Sequence, residues 1–235
     1  MSRKSQRNRI DPKLQPSGTS AAGSRRGLVI GLVAAVLVAV AVAVLLTRSP
    51  GNGASDDARQ AALSRDYAPS IGDAGARVHI VEFLDPACET CAQFYPLVKQ
   101  LVADNPGKIR LSLRHVPFHQ GAEHAVRALE ASRKQDKYWQ TLEALLGSQR
   151  RWTQNHTVMP EQVLPALGGV GLDMERLMAD MQSPEVTQRM DQDLRDATAL
   201  KVTATPEYFV NGRPLPSFGY QQLLDLVNEE LQKAY

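Results

Sequence analysis

Residues 78–91 read Val78-His79-Ile80-Val81-Glu82-Phe83-Leu84-Asp85-Pro86-Ala87-Cys88-Glu89-Thr90-Cys91. The first seven are rich in β-branched and aromatic side chains and predict a buried strand. Asp85-Pro86-Ala87 has the composition of a turn. From Cys88 the apolar pattern becomes helical and runs to about Asp104, where Asn105-Pro106-Gly107 stops it. Ile109 to Val116 alternates and predicts a second strand. Strand, helix, strand in this order implies a crossover and a parallel pair.

Cys88 and Cys91 are the only two cysteines in the chain. At the start of a helix the first sulfur lies near unpaired backbone N–H groups and the positive end of the helix dipole. Both favour the thiolate, the nucleophile of disulfide exchange, so a lowered Cys88 pKa is expected. Cys91, one turn further in, is expected to be more buried and to act second, resolving a mixed disulfide formed on Cys88. Other uses of the pair fit less well. A structural disulfide here would close a very small loop and constrain little chain entropy. A zinc site with His115 and His119 would need a longer spacer than the usual 12–15 residues or so, and would place His115 on a strand. Haem attachment needs His after the second Cys, where Ala92 stands.

Further along, about Gly121 to Leu200 is helical in pattern, with Ala125, Leu129, Tyr138, Leu142 and Leu145 at helical spacing. Pro160, Gly168-Gly169 and Ser183-Pro184 divide it. Strand character returns at Tyr208-Phe209-Val210. Asn211-Gly212 then signals a hairpin into Arg213-Pro214-Leu215, and Tyr220 to Lys233 closes as an amphipathic helix. His124 and His156 read as surface residues. Tyr138, Trp139 and Trp152 read as packing of the helical insert, and Ser148-Gln149-Arg150-Arg151 as a solvated helix end. No phosphate-binding glycine motif occurs.

Taken together, these features resemble the thioredoxin superfamily, and within it the DsbA-like thiol oxidoreductases that carry a helical insert. The resemblance covers about residues 70–235. It implies an α/β, thioredoxin-like fold (βαβ–ββα) over residues 76–235, interrupted by a helical insert at about 117–200, with neither cofactor nor metal. Glu82, six residues before Cys88, matches the family's buried carboxylate beneath the disulfide, and Pro96 its helix-kinking proline. Val202-Thr203-Ala204-Thr205-Pro206 matches its cis-proline loop. Burial should raise the Glu82 pKa and let it exchange a proton with Cys91; a partly solvated strand-end acid is the other reading. The Thr205 backbone would pair with an extended substrate, with Pro206 cis beside the sulfurs. The dipeptide between the cysteines is Glu-Thr, where strongly oxidising DsbA proteins have Pro-His. Without that His, and with Glu89 nearby, a less oxidising potential is expected. Thr205 before the proline resembles the isomerase and reductase branch, which has a dimerisation domain for which the preceding tether looks too short.

The N-terminal part sets the expected compartment. Gly27 to Leu46 is uncharged and apolar over 20 residues, which as a helix spans roughly 30 Å. Seven basic residues precede it in 1–26 against one acid, Asp11, and only Arg48 follows closely. A single-pass helix at 27–46 is therefore expected in a bacterial inner membrane. The 1–26 tail would be cytoplasmic and the rest periplasmic or otherwise extracytoplasmic. A cleaved signal peptide competes, but its apolar core is usually about 7–15 residues long and ends at a small-x-small site. Residues 47–75, with Gly51-Asn52-Gly53 and Gly72-Asp73-Ala74-Gly75, read as a linker that has a modest amphipathic stretch near Arg59–Leu63.

The whole chain has 235 residues, 43% hydrophobic and 22% charged, with net charge +2. That excludes a disulfide-stapled miniprotein and a disordered chain. Beyond residue 46 there are 20 basic and 24 acidic residues, so the basic character belongs to the tail and argues for no nucleic-acid partner. The reading is a membrane-anchored thiol–disulfide oxidoreductase acting on cysteine-containing extracytoplasmic proteins, with a membrane redox partner. A reductase or isomerase fed by a membrane electron donor is one alternative. A metallochaperone holding Cu(I) on the two thiols is the other.

Overall fold

A five-stranded sheet carries the molecule, its strands lying in the order β1 (Ser70–Gly72), β3 (Ile109–His115), β2 (Val78–Leu84), β6 (Glu207–Val210) and β7 (Arg213–Pro214). The computed structural model describes residues 50–235, with 36–38 and 40. The tail 1–26 and nearly all of the expected span 27–46 lie outside the described residues. Among the described residues no helix is long and apolar enough to cross a membrane.

β2 (Val78–Leu84) is the central strand, and every residue but His79 is buried. It pairs in parallel with β3 (Ile109–His115) through the crossover helix α2 (Glu89–Ala103). On its other side it pairs antiparallel with β6 (Glu207–Val210), which turns at Asn211-Gly212 into β7 (Arg213–Pro214). Asn211 and Gly212 both have positive φ, 48° and 80°, as the tight turn requires. The closing helix α9 is Tyr220–Ala234. The period of two sorts the central strand by face. Val78, Ile80 and Leu84 pack with Cys91, Tyr95 and Val98 of α2. Val81 and Phe83 pack with Phe209, Val116 and Leu200 on the opposite side.

The insert comprises α3 (Ala122–Ser132), α4 (Tyr138–Gly147), α5 (Gln149–Trp152), α6 (Pro160–Ala166), α7 (Met174–Met181) and α8 (Pro184–Ala199). Pro160 and Pro184 stand in the first turns of their helices, where a missing N–H costs nothing. Trp152 is fully buried and donates to the Leu145 carbonyl at 3.0 Å, so it packs the insert as its pattern implied. A small hairpin, β4 (Thr153–Gln154) with β5 (Thr157–Val158), interrupts the helices. Its tip, Asn155 and His156, has positive φ at both residues.

The reading of 47–75 as a linker is corrected. α1 (Pro50–Leu63) ends with Ala62 and Leu63 buried in the cluster around Phe83 and Phe209. β1 (Ser70–Gly72) then adds an antiparallel edge to β3. The polar residues in between are tied down by charge. Arg65 grips Asp196 with two bonds of 2.8 and 2.6 Å, and Tyr67 donates to Asp193 at 2.6 Å. Composition suggested a tether because these polar groups find their partners far away in sequence.

Their meeting point is Arg114, with a fully buried side chain. Its guanidinium donates to Asp193 Oδ1 at 2.8 Å, Asp196 Oδ2 at 2.6 Å and the Ala62 carbonyl at 2.6 Å. Asp193 Oδ2 in turn accepts the His115 N–H at 2.7 Å. Removing one member of such a buried set strands the others. Arg114→Met should therefore lower unfolding free energy by about 3–5 kcal/mol, whereas Arg65→Met, at a partly exposed position, should cost about 1 kcal/mol. Urea denaturation of the two variants measures both.

Candidate active site

The turn Asp85-Pro86-Ala87 brings the end of β2 to the first turn of α2, and Cys88 is the N-cap of that helix. Its sulfur accepts the Cys91 N–H at 3.4 Å and its thiol donates to the Thr205 carbonyl at 3.2 Å. Both cysteines are free thiols. Cys88 is 6% exposed and Cys91 is fully enclosed. One helical turn of separation gives them opposite acidities. Hydrogen bonding from the Cys91 side chain, aided by the Thr205 side chain and by the Cys91 and Thr90 amides, outweighs burial and holds the Cys88 pKa at about 6. Burial first, and then the neighbouring Cys88 and Glu82, push the Cys91 pKa well above the ordinary thiol value.

Glu82 lies beneath this pair with no solvent exposure. Burial lifts its pKa to about 8, against the opposing donation from the Tyr208 hydroxyl at 3.1 Å. The structure thus places Glu82 in the core beneath the cysteines and excludes a solvated strand end. The Thr205-Pro206 bond is cis, and the loop's backbone faces the Cys88 sulfur. Pro96 lies inside α2, which continues through it to Ala103.

Two residues that hold the redox turn in place escaped the sequence reading. Asp85 is a fully buried carboxylate that accepts the N–H groups of Ala87, Phe118 and His119, each at 2.8 Å. His119 Nδ1 lies 2.7 Å from the same carboxylate. This ties the turn before Cys88 to the loop after β3. Gln149 is buried too, and its amide donates to the Pro86 carbonyl at 2.7 Å and the Cys88 carbonyl at 2.9 Å. Only its helical context was legible. Nothing local in the sequence shows that the insert reaches back to the redox turn.

Above Cys88 opens a groove of about 420 Å³, bounded by Glu89, Phe118, His119, His156 and the Thr203–Thr205 loop. Phe118 is 43% exposed there. The His119 and His156 rings stack with centroids 6.2 Å apart. His156 is exposed as expected, but the β4–β5 hairpin carries it to this groove. The Cys-x2-Cys and His-x3-His pairs do not converge, because His115 is buried against Glu130 and Tyr138, at 3.1 and 2.8 Å. Among the described residues no group of three or more His, Cys, Asp or Glu could hold a metal ion.

A family model described as Thioredoxin matches residues 64–229. The chain is 31% identical to a thioredoxin-like oxidoreductase of Silicibacter pomeroyi of known structure. It superposes with a TM-score of 0.65 over 75% of this chain and 99% of that one. A probable disulfide bond formation protein D of Bacillus anthracis is 28% identical over 70% of this chain and 78% of its own length. A sodium/proton antiporter (NhaA) of Herminiimonas arsenicoxydans is 34% identical over 144 residues, 61% of this chain, and the match spans 22% of the antiporter's length.

Cys88 should titrate alone. Ultraviolet thiolate absorbance of the reduced protein should rise with a midpoint at about 6, and Cys88→Ser should abolish the transition. A thiol whose pKa is lowered from 9.0 on folding stabilises the fold fully above 9.0, and that stability fades as pH falls through about 6. Denaturation of the reduced protein at a series of pH values should follow this course, and Cys88→Ser should flatten it.

Proposed function

The chain belongs to the thioredoxin family, and from that premise we propose that it is a membrane-anchored extracytoplasmic oxidoreductase exchanging disulfides with cysteine-containing proteins. On this reading it is a thiol–disulfide oxidoreductase of DsbA-like kind, supported by the thioredoxin match and by its likeness to a thioredoxin-like oxidoreductase and a probable disulfide bond formation protein. The observation that carries the reading is the inequality of the two thiols. One, at a helix N-cap and open to a groove, is ionised at neutral pH; the other, one turn deeper, keeps its proton. Exchange needs that order: a ready nucleophile and a resolving thiol held back until the mixed disulfide exists.

Cys88 attacks, or is attacked by, the substrate sulfur. Cys91 then attacks the mixed disulfide on Cys88, closing the intramolecular disulfide and releasing the substrate thiolate as Glu82 takes the Cys91 proton. A substrate segment lying extended beside Thr205 and Pro206 can pair with the Thr205 backbone, since Pro206 offers no N–H. The run of apolar residues at 27–46 and the basic tail support a single-pass anchor in a bacterial inner membrane, cytoplasmic N-terminus inside. The redox domain would then face the periplasm and a membrane redox partner.

For the direction of electron flow, the Cys88 pKa of about 6 falls between values of about 3.5 for a strongly oxidising protein and about 7 for a reducing one. The name of the Bacillus anthracis relative supports net oxidation. A reductase or isomerase and a Cu(I) carrier are outcomes of the test. With Cys91→Ala expressed in cells, mixed disulfides with extracytoplasmic proteins should accumulate on Cys88. Recovering none, together with copper that a chelator fails to strip, would overturn the redox reading. Equilibration with glutathione should give a potential between about −270 and −120 mV. A value at the lower end would reverse the direction.

A further inference from the structure

We propose that Tyr208 is a positioning residue for the proton transfer: its hydroxyl pins one oxygen of Glu82 and leaves the other for the Cys91 thiol. The inference rests on the thiol–disulfide reading above and deepens it. Glu82 and Tyr208 stand directly opposite each other in the antiparallel β2–β6 register. Opposed side chains share a face. Here it is the face beneath α2, where Tyr208 packs in one cluster with Cys88, Cys91 and Tyr95.

The tyrosine ring has no solvent exposure and stacks on Phe94, which follows Cys91 by one turn on the same helix, with centroids 6.4 Å apart. The ring is therefore held by both the strand and the redox helix. Its hydroxyl donates to Glu82 Oε1 at 3.1 Å. Glu82 Oε2 is buried and has no partner among the described residues. A buried carboxylate oxygen without a donor is costly to keep charged and is ready to take a proton. Burial, with Glu82 and Cys91 close by, raises the Tyr208 pKa well above its usual value, so the phenol stays a donor and does not compete for that proton.

In the resolving step the Cys91 S–H passes its proton through an intervening water to Glu82 Oε2, and the Cys91 thiolate attacks Cys88 Sγ. The Cys88–substrate S–S bond breaks as the Cys88–Cys91 bond forms. The substrate sulfur leaves with the electron pair and is protonated by water. The protein dithiol is oxidised and the substrate disulfide reduced; substrate oxidation runs the same steps backwards, with Glu82 returning the proton. Tyr208 stabilises the ionised form of Glu82 throughout. Losing the hydroxyl should move the Glu82 titration upward by about one pH unit, the usual worth of one hydrogen bond to a buried charge.

The test uses full-length protein carrying a fluorescent cysteine peptide as a mixed disulfide on Cys88, with peptide release followed against pH. Tyr208→Phe keeps the ring. It should shift the profile to higher pH by about one unit and slow release at neutral pH roughly threefold. The Cys88 midpoint should stay at about 6. Glu82→Gln should slow release at every pH, and adding Tyr208→Phe to it should change nothing further. A Tyr208→Phe profile that superimposes on wild type overturns the inference, as does an equal slowing in the Glu82→Gln background. The carboxylic-acid infrared band of Glu82 gives a readout independent of turnover and should titrate higher in Tyr208→Phe. If wild type forms no mixed disulfide, the exchange reading falls on its own, and an unmoved infrared titration overturns the role of Tyr208 in either case.

Discussion

A guanidinium sealed from water has to be met by fixed negative charge, and Arg114 meets two carboxylates from a single helix. Much of the architecture depends on that match. Asp193 and Asp196 sit on α8, at the far end of the insert, and Arg114 sits on β3, next to the central strand. Through them the last helix of the insert is fixed against the sheet. The Thr203–Pro206 loop follows directly from that helix, and the Phe118–His119 loop follows directly from that strand. The two walls of the groove thus take their positions from one buried ion cluster, and a hydrophobic contact would not fix their angle as closely.

The redox centre applies the same economy to two identical side chains. Cys88 and Cys91 share a helix and differ by one turn, yet one finds donors and the other finds apolar walls. Glu82 completes the contrast, as the only charged side chain of β2 facing α2. The site uses no residue type beyond the common ones. Its chemistry lies in the order in which burial and hydrogen bonding are distributed along a few ångströms.

How much of this was legible in the sequence depends on the range over which each feature acts. The strand at 78–84, the helix from Cys88, the Asn211-Gly212 turn and the proline stops of the insert are local, and each falls within a residue or two of its expected place. The placing of Glu82 beneath the thiols, and of Thr205-Pro206 beside them, was legible only through the likeness to a known family. What escaped was long-range and polar. Asp85 looks like a turn residue, and its three amide donors lie in its own turn and about thirty residues away. Gln149 looked solvated, because a helix end says nothing of the carbonyls it will meet 61 and 63 residues back. Residues 47–75 looked like a linker for the same reason. Arg65 and Tyr67 have no partner in their own neighbourhood.

That last segment bears on where the inheritable unit begins. Compositional punctuation places a seam near residue 76. Yet upstream of it the chain supplies an edge strand, a carbonyl for Arg114 and two buried side chains at the end of α1. A crossover or gene fusion that joined at that seam would deliver a sheet with a bare edge and a guanidinium missing one acceptor. An engineered fusion meant to keep these contacts would have to be joined ahead of Ala62 and carry what looks like linker as part of its cargo.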